Sequence, residues 1–272
     1  MRDEMSRRRF LGHAALLGGA LRLRLRAGPT LRVAVVGMST KGTDARGMGL
    51  TLGAEEASHA ALLFGGGLTF VPLARAEAQE GRLSAIIGDG NVARTMKWGA
   101  EAAAAGIPFL NVGCEADELR MCGRSMFHVA PSAAMRRDAS ALADATGKVV
   151  AWHPSLVRFG ADTLNRRFQL RFGQPMHADA WTAWFATKVL WETAVRVGTG
   201  DGKALVSVLG ADTNQFDGHK GLPLSFRTWD HQLRQPLYVE HGGRVDEVPP
   251  AARPGEPARQ QLDRIGSAQC RA

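Results

Sequence analysis

The 272-residue chain has few of the markers that announce a chemistry. It holds only three cysteines, Cys114, Cys122 and Cys270, none in a C-x-x-C pair, which argues against thiolate zinc sites and thioredoxin-type redox work. Its eight histidines include no H-x-H or H-x-x-x-H pair, so no metal is expected. It contains no G-x-S-x-G elbow and no nucleophile set beside a base; no catalytic residue is assigned, no cofactor is implied, and an enzyme is not expected. Beyond the N-terminal leader, no run reaches the roughly 20 apolar residues of a membrane helix, so stable membrane insertion is not expected. The net charge of +8 hints at nucleic acid, but residues 1–27 carry seven arginines against Asp3 and Glu4, a net +5, and residues 28–272 carry only +3. That remainder has no basic run able to track phosphates, so no nucleic-acid partner is expected. No internal repeat is present.

What is there begins with Ser6-Arg7-Arg8-Arg9-Phe10-Leu11, which resembles a twin-arginine export signal. Leu11 to Leu21 is mildly apolar, diluted by Gly12, His13, Gly18 and Gly19, and suits a signal-peptide core rather than an anchor. Arg22, Arg24 and Arg26 follow, with cleavage expected after Ala27. Residues 1–27 are therefore read as a signal peptide and the mature protein as periplasmic. In that oxidising compartment one disulfide is natural. Cys122 with Cys270 would tie the C-terminal tail to the body; Cys114 with Cys122 is the local alternative.

From Leu31 the pattern alternates strand and helix. The apolar run Leu31–Gly37 suits a strand buried on both faces of a parallel sheet. Helices are expected over Gly49–Phe64, Val92–Ala105, Pro131 to about Ala145, Asp162–Phe172, Ala178–Val197 and Lys203–Leu209. Strands are expected over Leu68–Leu73, Leu83–Ile87, Pro108–Val112, Phe127–Ala130, Val149–Trp152, Leu222–Arg227 and Leu237–Glu240, with a glycine-pair hairpin turn at His241–Arg244. Trp181, Trp184 and Trp191 recur at helical spacing and are read as core. The fold class is α/β, a doubly wound and mostly parallel sheet.

Two sequence blocks carry a resemblance. One is Asn111-Val112-Gly113 with Asp117, Leu119-Arg120, Cys122 and Phe127-His128-Val129-Ala130-Pro131-Ser132. The other is Phe216-Asp217-Gly218-His219-Lys220-Gly221, continuing through Leu224–Arg227, Trp229-Asp230 and Gln232–Leu237. With the tryptophan-bearing helix they resemble type I periplasmic binding proteins of branched-chain amino-acid ABC transporters, and within them the subgroup found beside PQQ-dependent alcohol dehydrogenase systems. The resemblance implies two α/β lobes, a small-molecule ligand between them, an ABC permease as partner, and no chemistry. One lobe would comprise residues 28–130 and 155–212, and the other 131–154 and 213–248, with 249–272 as an extended tail. Only Thr146 and Gly147 separate Ala145 from Lys148, where the family has several βα units, so the second lobe is expected to be a remnant. Strand edges left open there would invite a homodimer.

Six residues are candidate ligand contacts. In the resembling fold the loop after the first strand lines the cleft mouth, which nominates Ser39 and Thr40; its Lys41-Gly42 order is wrong for a P-loop. Gly88-x-Gly90-x-x-Ala93 has the outline of a dinucleotide fingerprint, but Asp89 puts negative charge where phosphate would sit. The same turn in the binding-protein reading nominates Gly90 and Asn91, Asn91 serving equally as a helix cap. Asn111 and Asp117 lie at the carboxyl edge where open sheets bind ligands; Asp117 is as well suited to an ion pair with Arg120. Two alternative functions stand beside solute binding: a shortened relative acting as a partner-binding or vestigial protein, and a Rossmann-type oxidoreductase.

Overall fold

Along the first strand, odd and even residues enter different cores. Leu31, Val33 and Val35 join one apolar cluster, Ala34 and Val36 another, so the strand must be covered by helices on both faces. The structure is a computed structural model and describes residues 28–73, 83–120, 125–143, 147–248 and 255–266. The leader, Cys122 and Cys270 lie outside the described residues.

In chain order come β1 (Thr30–Val36), α1 (Ala45–Phe64), β2 (Gly67–Pro72), β3 (Ala85–Gly88), α2 (Val92–Ala105), β4 (Phe109–Asn111) and β5 (Met126–His128). Then follow α3 (Ala133–Ala143), β6 (Lys148–Val150), α4 (Ala161–Phe172), α5 (Ala178–Val197) and α6 (Gly202–Leu209). The chain closes with β7 (Phe216–Asp217), β8 (Pro223–Phe226), β9 (Leu233–Arg234), β10 (Tyr238–His241), β11 (Arg244–Glu247) and α7 (Ala258–Leu262). β1 to β5 form a five-stranded sheet, all neighbours parallel, in the order β2-β1-β3-β4-β5. α1 and α5 pack on one face, and α2 covers the other.

α1 begins four residues earlier than its apolar content suggests, because Asp44 caps it: Asp44 Oδ1 accepts the Gly47 N–H at 2.7 Å. Its glycines serve the crossing with α5. A Cβ on Gly49 would lie 2.0 Å from the Ala180 carbonyl oxygen, and one on Gly53 2.7 Å from Thr187 Cβ. Trp181 and Trp184 of α5 are buried, as read from their spacing.

A second, antiparallel sheet has the order β11-β10-β6, with α3 packed on β6. Gly242 and Gly243 turn β10 into β11 at φ +57° and +77°, the positive pair that a type I′ hairpin requires. A third ribbon, β7-β8-β9, is also antiparallel. It departs from the expected division of the chain. Residues 213–234 were assigned to the smaller lobe, yet His128 bridges Gln232 in parallel, and the Phe226 ring meets Phe127 edge-on at 5.2 Å. This ribbon is a sheet of its own that meets the large one at that bridge, while β10 and β11 join β6. The expected extended tail is corrected too: residues 258–262 are helical, and Leu262 and Ile265 are buried. Buried Arg227 explains it, donating to the carbonyls of Leu262 (2.8 Å) and Ile265 (2.6 Å), the acceptors a helix end leaves open.

Gly49→Ala should lower stability by about 1–3 kcal/mol through overpacking against α5, outweighing alanine's better helix propensity. Gly67→Ala, with nothing within 4 Å of the added Cβ, is the control expected to leave the urea midpoint nearly unchanged. Equal midpoints for the two variants would refute the close helix crossing.

Candidate ligand cleft

The strand order reverses between β1 and β3, since β1 is followed on one side by β2 and then on the other by β3. Loops leaving the carboxyl ends of those two strands diverge and open a crevice. Residues 37–44 form one lip. Asp44 Oδ2 accepts the Ser39 N–H at 3.3 Å, Ser39 Oγ accepts the Lys41 N–H at 3.0 Å, and Thr40 is exposed. Residues 89–91 form the other. Gly90 runs against Trp98, whose ring would lie 2.7 Å from an added Cβ, and Asn91 caps α2 by accepting the Arg94 N–H at 3.0 Å.

Arg46 spans the crevice, pairing with Asp89 at 3.2 Å and Asp179 at 2.8 Å. Burial raises the Asp89 pKa; Arg46 opposes it, and the carboxylates of Asp179 and Asp44 raise it further. Gly113 admits this arrangement, because a Cβ there would lie 1.9 Å from Asp89 Oδ1.

The next positions along the edge serve the frame. Asn111 is fully buried; its Oδ1 accepts from Gly113 N (3.2 Å) and Cys114 N (2.9 Å), and its Nδ2 donates to Cys114 O at 2.7 Å and lies 3.1 Å from His128 Nδ1. Its amide is buried and engaged by the turn. Arg120 does not pair with Asp117. It is buried and donates to Gln232 Oε1 (3.0 Å) and to the carbonyls of Cys114 (3.0 Å), Ala116 (2.8 Å) and Ala130 (2.9 Å). Burial draws its pKa down to about 10. Asp117 instead caps α3: Oδ1 accepts the Ala134 N–H at 2.8 Å and Oδ2 pairs with Arg137 at 2.9 Å. Burial works to raise the Asp117 pKa, but these donors hold it below the usual carboxylate value.

Beside Asp179 lies a cavity of about 600 Å³. One wall is the N-terminus of α5, with His177, Ala178 and Asp179; a second is α3, with Arg136, Arg137 and Ser140; a third is the small sheet, with Lys148, Val149, Val150 and Glu240. Glu115 and Trp152 complete it. Arg136 pairs with Glu115 at 2.6 Å and donates to the Val149 carbonyl. His153 Nε2 is 3.8 Å from Glu240 Oε1, and the His153 and His177 rings stand 6.3 Å apart at 79°. Burial lowers the His153 pKa, with Glu240 opposing. Trp152 is fixed from behind, stacked on Trp181 at 5.7 Å and donating to Asn165 Oδ1 at 2.9 Å. None of Ser39, Thr40, Gly90, Asn91, Asn111 or Asp117 lines this cavity, although Glu115 sits between the last two. Arg136, Lys148, Trp152 and His177 were not anticipated, and no local pattern in the sequence marks them. Among the described residues no three His, Cys, Asp or Glu side chains form a metal-sized group, and no helix is long and apolar enough to cross a membrane.

No protein-family model and no curated protein sequence matches the chain. Solved structures do. An ABC transporter substrate-binding protein from Desulfitobacterium hafniense, in complex with Leu, aligns with a TM-score of 0.64 at 14% identity, covering 80% of this chain and 100% of that one. The chain has a periplasmic-binding-protein-like fold. Within this fold, similar structures include the branched-chain amino acid transporter substrate-binding protein LivJ from Streptococcus pneumoniae with isoleucine (TM-score 0.60, 13% identity, 80% and 98% covered). A solute-binding protein from R. palustris in complex with benzoate gives 0.59 at 14% identity, covering 80% and 95%.

His128 gives this edge a pH signature. It is buried, and desolvation first, then Arg120, holds its pKa well below 6.5. The unfolded chain therefore takes up a proton that the folded chain refuses, so stability falls as pH drops below 6.5 and is insensitive to this group above it. Between pH 6 and 5 this group should account for about 1 kcal/mol of lost stability. His128→Asn, which keeps a polar partner for Asn111, should remove that part of the slope in urea melts; an unchanged slope would show that His128 is not its source.

Proposed function

We propose that this protein is the solute-binding component of an ABC-type import system, working in the periplasm after export and handing a small molecule to a permease. The observation that carries the reading is the cavity between the carboxyl edge of the large sheet and the small sheet, on a fold shared with proteins that bind leucine, isoleucine or benzoate. Its walls set Arg136, Arg137 and Lys148 against Glu115, Asp179 and Glu240, beside the apolar surface of Val150 and Trp152. Near-balanced charge with an aromatic wall suits a compact polar or carboxylate-bearing solute with an apolar body, not a polyanion. Ser39, Thr40, Gly90 and Asn91, on the lips of the neighbouring crevice, are proposed to meet the far end of that solute, while Asn111 and Asp117 hold the frame. The resemblance extends the proposal to a system serving PQQ-dependent alcohol oxidation.

Thermal melts of the mature protein with leucine, isoleucine, benzoate, alcohols, aldehydes and PQQ test this. A solute at 100 times its Kd adds about 2.7 kcal/mol, and each kcal/mol raises Tm by about 2–4 °C in a chain of this size. Trp152→Ala should fold yet lose most of the shift. No shift from any solute in the wild-type protein would defeat the reading and favour a shortened relative without transport-type binding.

A further inference from the structure

The chain passes between the large and small bodies three times: through 129–132 from β5 to α3, through 151–155 from β6 to α4, and through 235–237 from β9 to β10. α4 belongs with the large body, since Arg167 and Arg171 pair with Glu56 and Glu55 of α1 at 2.9 and 2.8 Å. Two of these crossings meet at one side chain, and the third joins them through Gln235. Lys220 is fully buried, and its ammonium donates to the Ala151 carbonyl, to Gln235 Oε1 at 2.8 Å and to the Pro236 carbonyl at 3.0 Å. Gln235 passes the contact on, its Nε2 donating to the Val129 carbonyl at 2.8 Å. Three acceptors match the three N–H groups of an ammonium. Among the described residues no carboxylate is within ion-pair distance of Lys220; Nζ instead lies 4.0 Å from the centroid of the Trp181 ring, a cation–π contact. The contact leads on to the cavity, because Trp181 also stacks on Trp152, which lines it.

A surface lysine in a loop would have none of these partners. Burial pushes the Lys220 pKa well down, with Glu247 opposing and Arg136 adding to it, so an ammonium kept here needs the oxygens and the indole face around it. Replacing it leaves main-chain carbonyls of two crossings without a donor at the point where the bodies could turn against each other.

We propose that Lys220 is a positioning residue for the cleft: its ammonium clamps two crossings directly and the third through Gln235, fixing the angle between the two sheets and the plane of Trp152. The link to solute rests on the solute-binding reading; the clamp itself does not. Hydrogen–deuterium exchange on the mature full-length protein separates the two. Lys220→Met keeps the length of the side chain and removes the ammonium. It should raise exchange at least tenfold in peptides spanning 129–132, 151–155 and 235–237, while β1 and the centre of α5 exchange as in the wild type. Gln235→Leu, a milder change that keeps the protein testable should the first variant fail to fold, should loosen 129–132 and 235–237 and spare 151–155. A rise spread evenly over the molecule, or none at the crossings, would overturn the clamp. With any solute that shifts the wild-type melt, Lys220→Met should weaken binding at least tenfold; unchanged affinity would overturn the positioning role. If no solute binds the wild type, the solute-binding reading fails, and the exchange pattern still decides the clamp.

Discussion

A carbonyl that leaves a sheet must find a donor or stay unpaired in the interior at about 1–3 kcal/mol each. This protein meets that constraint with long cationic and amide side chains. Arg120 gathers the carbonyls of Cys114, Ala116 and Ala130; Lys220 those of Ala151 and Pro236; Arg227 those at the end of α7; Gln232 and Gln235 those of His128, Ala130 and Val129. The only carboxylate among these contacts that is itself fully buried is Asp230, 3.3 Å from Arg227. These side chains act chiefly as many-pronged donors to backbone, so removing any one exposes several acceptors at once.

The consequence for function is geometric. The large sheet supplies a crevice where its strand order reverses, and Arg46, just after one lip, ties it to the other through Asp89 and to α5 through Asp179. The cavity next to it takes its remaining walls from α3, β6 and β10, which belong to the other body. A wall built from two bodies keeps its shape only if the crossings are held, and that is where the buried donors concentrate. Asp179 connects the two regions, facing the cavity while bonded to Arg46.

Much of the framework was legible residue by residue. Val92–Ala105 and Ala178–Val197 match their expected bounds because each has a local stop, Gly106 and Gly198, and the first a capping start at Asn91. α1 was read four residues too short, because Gly47 looks unhelical until Asp44 caps the helix through its N–H. β7 and β9 are two residues each, too short for any periodicity to register. The ribbon carrying them was placed with the wrong body, since nothing local reveals that Gln232 would pair with His128. The tail was read as extended from its prolines, and its short helix exists because Arg227 waits for its carbonyls.

The candidate contacts divide along the same line. Alternation of strand and helix, cap residues and glycine stops are local, and local rules determined the α/β class, the element order and the carboxyl edge on which Ser39, Thr40, Gly90 and Asn91 lie. Which groups face the cavity depends on contacts across long stretches of chain, such as Arg136 with Glu115 and Trp152 with Trp181. Asn111 and Arg120 carry the same functional groups whether they meet a ligand or a backbone turn; only their burial among carbonyls assigned them to the turn. Tertiary structure decided the site because hydrogen-bond demand in an interior is met by whichever donor packing brings near, and no periodicity in sequence encodes that meeting.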